Sequence, residues 1–383
     1  MRFFLLLFFL IYGAFHLYAF VKAKGVFRIT GWRNLFAFMF ILMMIAMPVI
    51  TRVSEHSGYE LLAMVTAYVG YIWMGFLFFF VSTALFMDVV AVACVSTQWL
   101  FRFSPVKWPF SRKSALCIPV IIAFAACVYG VYEADDIRIE TVTLETDKLP
   151  PDRDKLRIAQ ISDLHLGLIV REDKLNQVAS KIESIHPDIL VSTGDLVDGQ
   201  LARLNGLSDI FRQINPPYGK FAVTGNHEFY VGINQSQDFT QKSGFQLLRG
   251  EFVHIENWLT VIGLDDQVAV RMGLGNDRED RLFDAVDSEK FVLLLKHRPT
   301  VNPENIRNVN LQLSGHIHKG QIFPFNLLVR LVYPIPIGLS SPAEGYSLYV
   351  SRGTGTWGPP FRVFSPPEIT VIDLVKINTS HIH

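Results

Sequence analysis

The pattern of apolar and polar positions changes once along the chain, near residue 135. Before that point come four long apolar stretches, Phe3–Val21, Leu35–Ile50, Leu61–Phe86 and Leu116–Tyr132. Each approaches the ~20 residues that a helix needs to cross a bilayer. Their loops differ in charge. The first carries Lys22, Lys24, Arg28 and Arg33, and the third carries Arg102, Lys107, Arg112 and Lys113. The second has Arg52 beside Glu55 and Glu60, and the fourth stretch leaves through Glu133, Asp135 and Asp136. The positive-inside rule then puts loops one and three in the cytoplasm, and both termini outside it. Arg2 opposes this mildly, and a second span hidden between Leu61 and Leu100 would reverse it. A cleaved signal peptide competes for the first stretch. Three further spans, and no marked small-residue cleavage site, favour an uncleaved helix. Asp88 falls where the bilayer should end and reads as interfacial, and His16 as a packed or interfacial histidine.

After residue 136 the periods shorten. Leu175, Val178, Ala179 and Ile182 repeat at the spacing of a helix packed on a sheet over Asp173–Ile185, and Leu204–Ile214 reads as a second helix. Val253–Leu264, Tyr346–Val350 and Glu368–Leu374 read as strands. Five further apolar runs each end in a group that can bind an ion. Leu156–Ile161 leads to Asp163 and His165; Ile189–Val191 leads to Asp195 and Asp198; Phe221–Thr224 leads to Asn226, His227 and Glu228; Phe291–Leu295 leads to His297; Val309–Ser314 leads to His316 and His318. Ligands of α/β folds bind at the carboxyl ends of strands. One such ending is commonplace, since an Asp after a strand is usually a helix cap; five in one segment argue for a shared site. The expected division is residues 1–135 as a four-helix transmembrane domain and residues 136–383 as one catalytic domain.

Composition agrees with a membrane part joined to a soluble part: the 383 residues are 50% hydrophobic, with a mean hydropathy of +0.29. The formal net charge of +0 provides no global field for nucleic acid. Cys94, Cys117 and Cys127 all lie in the apolar first third, so the soluble part carries no disulfide.

The strand-end donors are two Asp, one Asn and four His: Asp163, Asp195, Asn226, His165, His297, His316 and His318. Oxygen and imidazole donors without thiolate suit two divalent metal ions of the Mn, Fe or Zn kind, and the lack of Cys excludes an ordinary structural zinc site. There are more donors than one ion needs. Two ions about 3.5–4 Å apart, sharing a bridging carboxylate, would use them all and clamp a phosphoryl group.

Asp163-X-His165, Gly194-Asp195, Gly225-Asn226-His227-Glu228, His297 and Gly315-His316-X-His318 resemble, in order, the five blocks of the calcineurin-like metallophosphoesterases. The resemblance covers roughly residues 155–375. Ser351–Gly358 followed by Pro366-Pro367-Glu368-Ile369 resembles the bacterial membrane-associated branch of the YkuE and YaeI type. The family fold is an α/β arrangement, a β-sandwich flanked by helices. The resemblance implies that Asp163, His165 and His318 hold one metal, that Asn226, His297 and His316 hold the other, and that Asp195 bridges. It also implies that His227 faces the phosphate as a catalytic group with Asp198 beside it. The family's phosphoprotein phosphatases follow that Asp with Arg; Gly199 stands here, which counts against that activity.

Arg352 is a candidate for binding a phosphate bidentately, with a surface ion pair as its ordinary alternative. Asp265-Asp266 could line the site or form a turn, Glu228 could merely orient its loop, and His186, His254, His381 and His383 read as surface histidines. The segment Ile322–Ile337 is too broken by Pro324, Pro334 and Pro336 to span a membrane. It is either a core-covering loop or an apolar lip that meets lipid. The expectation is a multi-pass membrane enzyme with an extracytoplasmic catalytic domain. It would hydrolyse a phosphodiester or pyrophosphate of a phosphorylated small molecule or lipid-linked substrate, with the bilayer as its partner. A broad phosphomonoesterase and a catalytically idle sensor or scaffold are the alternatives.

Overall fold

The computed structural model describes residues 2–27, 29–102, 108–199, 206–275, 279–302 and 308–377. Arg28, Lys107, Leu204, His381 and His383 lie outside the described residues. The chain forms two compact units, Met1–Tyr132 with Gly358–Phe361, and Glu133–Trp357 with Arg362–His383.

Four helices open the chain: α1 (Arg2–Phe27), α2 (Trp32–His56), α3 (Glu60–Leu100) and α4 (Ser114–Asp135). All four are long and apolar enough to cross a membrane. The apolar stretch expected to end at Phe86 continues to Leu100 in one unbroken helix of 41 residues. At about 1.5 Å per residue that is about 60 Å, twice the ~30 Å hydrocarbon core. Among the described residues the number of candidate spans therefore stays at four. Polar groups on α1 and α3 satisfy one another, as an apolar medium requires. Asp88 accepts from Tyr18 Oη and Lys22 Nζ, each at 2.6 Å. His16 is buried; its Nδ1 meets the Tyr12 carbonyl at 2.8 Å and its Nε2 takes the Trp73 indole N–H at 2.9 Å.

The second unit is built on two six-stranded sheets. The first has the order β1 (Arg138–Thr146), β12 (Glu368–Lys376), β2 (Lys155–Ile161), β3 (Ile189–Ser192), β4 (Lys220–Ala222) and β5 (Gln246–Leu247). The second has the order β10 (Gly338–Ala343), β11 (Tyr346–Val350), β9 (Leu311–Ser314), β8 (Phe291–Leu295), β7 (Leu259–Gly263) and β6 (Glu251–Ile255). The five ligand-bearing runs are β2, β3, β4, β8 and β9. Pairing is parallel through β2–β3–β4 and through β8–β9, which brings their carboxyl ends to one edge of each sheet.

The period of two decides the layers. Leu156, Ile158, Ile189 and Val191 of the first sheet share a core with Val261, Leu293, Leu295, Leu311 and Leu313 of the second. The alternate residues of the first sheet, Ala159, Ile161 and Leu190, pack on α5 (Glu172–Ile185) and α6 (Leu207–Arg212), and on Phe239 of α8 (Ile233–Lys242). Those of the second, Ile262, Val292 and Leu294, pack on Phe283 of α10 (Glu279–Ala285), with Val329 of α11 (Phe325–Val332) packed against the same cluster. Two short helices, α7 (Asn226–Val231) and α9 (Gln267–Arg271), complete the unit. Val253–Leu264 is a hairpin rather than one strand: the chain turns at Glu256, whose φ is 50°, and β6 pairs antiparallel with β7. His186 ends α5 in the left-handed conformation.

Candidate metal centre

The strand-end loops converge. Asp163, His165 and His318 each place a ligand atom within 4.8 Å of the others, and Asp195, His297 and His316 do the same. Asp195 Oδ2 lies 3.2 Å from His297 Nε2 and 3.8 Å from His165 Nε2, so this one carboxylate touches both groups. His318 Nε2 is 3.3 Å from Asp163 Oδ1 and 3.1 Å from His165 Nε2. On the other side His316 Nδ1 is 3.1 Å from His297 Nε2. Asn226 starts α7 and is buried at the same place; Arg298 Nη2 reaches its Oδ1 at 3.4 Å.

The backbone is bent to achieve this. Asp163, His165, Asp195, His316 and His318 have φ between 46° and 73°. L-residues occupy that region sparingly, at roughly 1–3 kcal/mol each, and such strain gathers at functional sites. Gly194, with φ 94°, completes the turn before Asp195, and a Cβ there would sit 2.5 Å from Gly225 N. The two loops can meet only as glycines.

Glu228 fixes this crossing. Its carboxylate, wholly buried, accepts from the backbone N–H groups of Asp195 (3.0 Å), Leu196 (2.8 Å) and Gly225 (2.7 Å). Asp195 Oδ1 in turn accepts from His227 N at 2.9 Å. His297 is oriented through Nδ1 to the Thr193 carbonyl at 2.8 Å, which leaves Nε2 for the cluster. His227 differs. Asp198 Oδ1 holds its Nδ1 at 2.6 Å, and its ring abuts those of His165, Tyr230 and Trp357. His165, Asp195 and His227 are also close enough to hold an ion, but the grip of Asp198 suits an orienting pair.

Charge within the cluster is concentrated. Burial lowers the pKa of His165 to about 3, and burial with the neighbouring His297 lowers that of His316 to about 3. Burial would also lower His297 and His227, but Asp195 overcomes it and lifts them to about 10 and about 9. Asp163 and Asp195 are held below the usual carboxylate range by His318 and His297 respectively, against their own burial. Burial and the nearby Asp195 raise Glu228 to about 7. So many buried ionisable groups in mutual contact need a compensating charge. His165 Nδ1 is buried without a hydrogen-bond partner among the described residues. The donor set and its closeness fit divalent cations.

The structure brings together all seven proposed ligands with His227 and Asp198, and it places Arg352 differently. The Arg352 guanidinium lies 2.5 Å from Glu140 and 2.7 Å from Glu368, so its ordinary alternative, an ion pair, describes it. Two other arginines touch the ligands, and sequence reasoning passed over both. Arg362 is buried completely, with Nη2 3.2 Å from His318 Nδ1 and with donors to the Gly355, Arg352 and Ser365 carbonyls. Arg298 reaches His316 and Asn226. Only Arg298's place directly after His297 could have flagged it. Asp266 does line the site, as partner of Arg298 and cap of α9, whereas Asp265 pairs with Arg249.

Comparison with known proteins agrees with this geometry. The model of the calcineurin-like phosphoesterase family matches residues 156–320. An uncharacterized metallophosphoesterase of Aquifex aeolicus is 43% identical over 256 residues, 66% of this chain and 98% of that protein. A transmembrane protein with metallophosphoesterase domain from Danio rerio is 32% identical over 277 residues, 69% of this chain; the chain spans 63% of that relative, less than two thirds. An uncharacterized metallophosphoesterase of Campylobacter jejuni is 29% identical over 95% of this chain and 96% of its own length.

Proposed function

The chain belongs to the calcineurin-like phosphoesterase family and is a metal-dependent phosphoric ester hydrolase, and on that premise we propose a membrane-anchored dimetal enzyme acting outside the cytoplasm on phosphodiester or pyrophosphate bonds of lipid-linked substrates. The carrying observation is Asp195, whose carboxylate touches His165 of one ligand group and His297 of the other. One ion would be held by Asp163, His165 and His318, the second by Asn226, His297 and His316, with Asp195 shared. Bound there, such ions supply Lewis-acid charge to phosphoryl oxygens and make water more acidic.

The chain's own residues do the rest. Asp198 accepts from His227 Nδ1, which leaves Nε2 to carry the proton that a general acid gives the leaving oxygen. Glu228 fixes the Asp195 turn through three backbone N–H groups. The idle-scaffold alternative leaves five strained backbone positions and a buried charge cluster without a purpose.

Residues 1–135 are proposed as the transmembrane domain and 136–383 as the catalytic domain. The extracytoplasmic placement is supported by the basic loops one and three. The lipid-linked substrate is supported by α11. Val329 faces the core, while Phe325, Leu327, Leu328, Leu331 and Val332 are exposed, with Leu331 80% open. An apolar face of this kind suits an acyl or prenyl tail. The test is turnover of a tailed and of a small soluble phosphodiester by full-length enzyme in which Phe323, Phe325 and Leu328 are changed to Ser. Selective loss on the tailed ester is expected; equal loss on both would leave α11 as ordinary packing.

A further inference from the structure

Resting on the dimetal reading above, we propose that Arg298 is a substrate-binding residue of this centre, taking a phosphoryl oxygen with the edge of its guanidinium that now meets His316. Arg298 is anchored from behind. Nε lies 2.7 Å from Asp266 Oδ2 and Nη2 3.4 Å from Oδ1, and Asp266, its side chain wholly buried, also caps α9 through Val268 N. A guanidinium held in this way loses little freedom when it binds an anion. Its front edge points at the ligands: Nη1 is 2.9 Å from His316 Nε2 and 3.0 Å from Tyr333 Oη, and Nη2 is 3.4 Å from Asn226 Oδ1. The side chain keeps 18% of its surface open, so it is not sealed in the core.

Proton counting shows that the contact with His316 serves only one state. Arginine donates and never accepts, so His316 Nε2 must be the acceptor and the ring proton must sit on Nδ1. Yet Nδ1 is the atom that faces His297 Nε2, at 3.1 Å, and so the one His316 can offer to an ion. Were an ion held at Nδ1, the ring proton would sit on Nε2. Donor would then meet donor, and Nη1 would need another acceptor. Tyr333 Oη can satisfy part of Nη1. The N–H released from His316 would then be open to a phosphoryl oxygen held by the centre, since an anion is the complement of a fixed guanidinium. A structural role would need only the bond to Asp266. It leaves unexplained two donors directed at two ligands, His316 and Asn226.

The experiment uses the full-length, metal-loaded protein with inorganic phosphate as the probe. Phosphate binding is measured by calorimetry, and metal content by mass spectrometry, in the unaltered chain, Arg298→Ala and Arg298→Lys. The expected result is unchanged metal content, phosphate binding weakened about 10- to 100-fold in Arg298→Ala, as for the loss of a charge-assisted bond, and a smaller loss in Arg298→Lys. If the alanine chain does not fold because Asp266 loses its counter-charge, Arg298→Lys carries the test. Equal phosphate binding with metal retained overturns the proposal. So does loss of metal matching that of His316→Ala, which would make Arg298 a support of the ligand alone. Because binding is read without turnover, the result stands apart from the outcome on any ester. A chain that holds metal and phosphate but cleaves nothing defeats the proposed function and not this inference.

Discussion

Glu228→Gln is the substitution whose effect the structure sizes most directly. The Glu228 carboxylate accepts three backbone N–H groups, from Asp195, Leu196 and Gly225, at 2.7–3.0 Å, in a residue only 2% exposed. Glutamine matches its volume but replaces one acceptor oxygen by an NH₂ group, which faces N–H donors. Oε2 of Glu228 serves two of the three N–H groups and Oε1 one, so either orientation of the amide strands at least one donor and sets NH₂ against it. An unmade buried bond costs about 1–3 kcal/mol. With one or two lost, destabilisation should be about 1–6 kcal/mol, or roughly 2–20 °C in melting temperature for a domain of this size. The same turn carries Asp195, so metal should be lost together with stability. The assay is a thermal melt of the full-length protein in detergent, with metal content measured on the same sample. A variant that melts within a degree of the parent and retains its metal would refute the view that Glu228 builds the site.

Four further outcomes follow. His227→Ala should keep its metal and lose turnover by about 10²–10⁴, the range of general acid–base groups; metal loss equal to that of His316→Ala would make His227 a ligand. Metal binding should release protons. His297 is raised to about 10 in the metal-free chain, so its proton competes with the ion below that pH and affinity should rise with pH toward it, as read by titration calorimetry in buffers of different ionisation enthalpy. The same shift has an opposite sign for stability. His297 and His227 bind protons more tightly folded than unfolded, so the metal-free protein should be stabilised fully below their ordinary value of 6.5 and lose that increment as pH rises through about 9 to 10, as chemical denaturation across pH would show. A reporter enzyme fused after His383 should be active only outside the cytoplasm; a cytoplasmic signal would reverse the proposed topology.

The site was legible in sequence because its logic is local. An apolar strand such as Ile189–Ser192 ends, the chain must turn, and Gly194 and Asp195 occupy the turn; five repeats of that grammar were visible without coordinates. The length and apolarity of the four leading helices were equally plain. What sequence withheld depends on contacts between distant segments. Nothing near Arg138 shows that β1 pairs with β12, some 230 residues on. In the sequence Arg352 stood out as a phosphate binder and Arg298 did not. Only the fold shows Arg352 committed to Glu140 and Glu368, and Arg298 set against His316. Complete burial of Arg362 runs against every compositional expectation for arginine, and it is explained by the carbonyls of Gly355, Arg352 and Ser365, which no periodicity reveals. The prolines around α11 hid a helix because they stand outside it: Pro324 precedes its first residue and Pro334 follows its end.

The central claim is that Asp195 joins two ion sites. It is tested most directly by counting divalent metal per chain in the purified full-length protein and in Asp195→Asn, each checked for turnover of a phosphodiester. The account predicts two ions in the parent, and loss of bound metal and turnover together in the variant, because the one carboxylate serves both sites. Full metal occupancy with normal turnover in Asp195→Asn would contradict it.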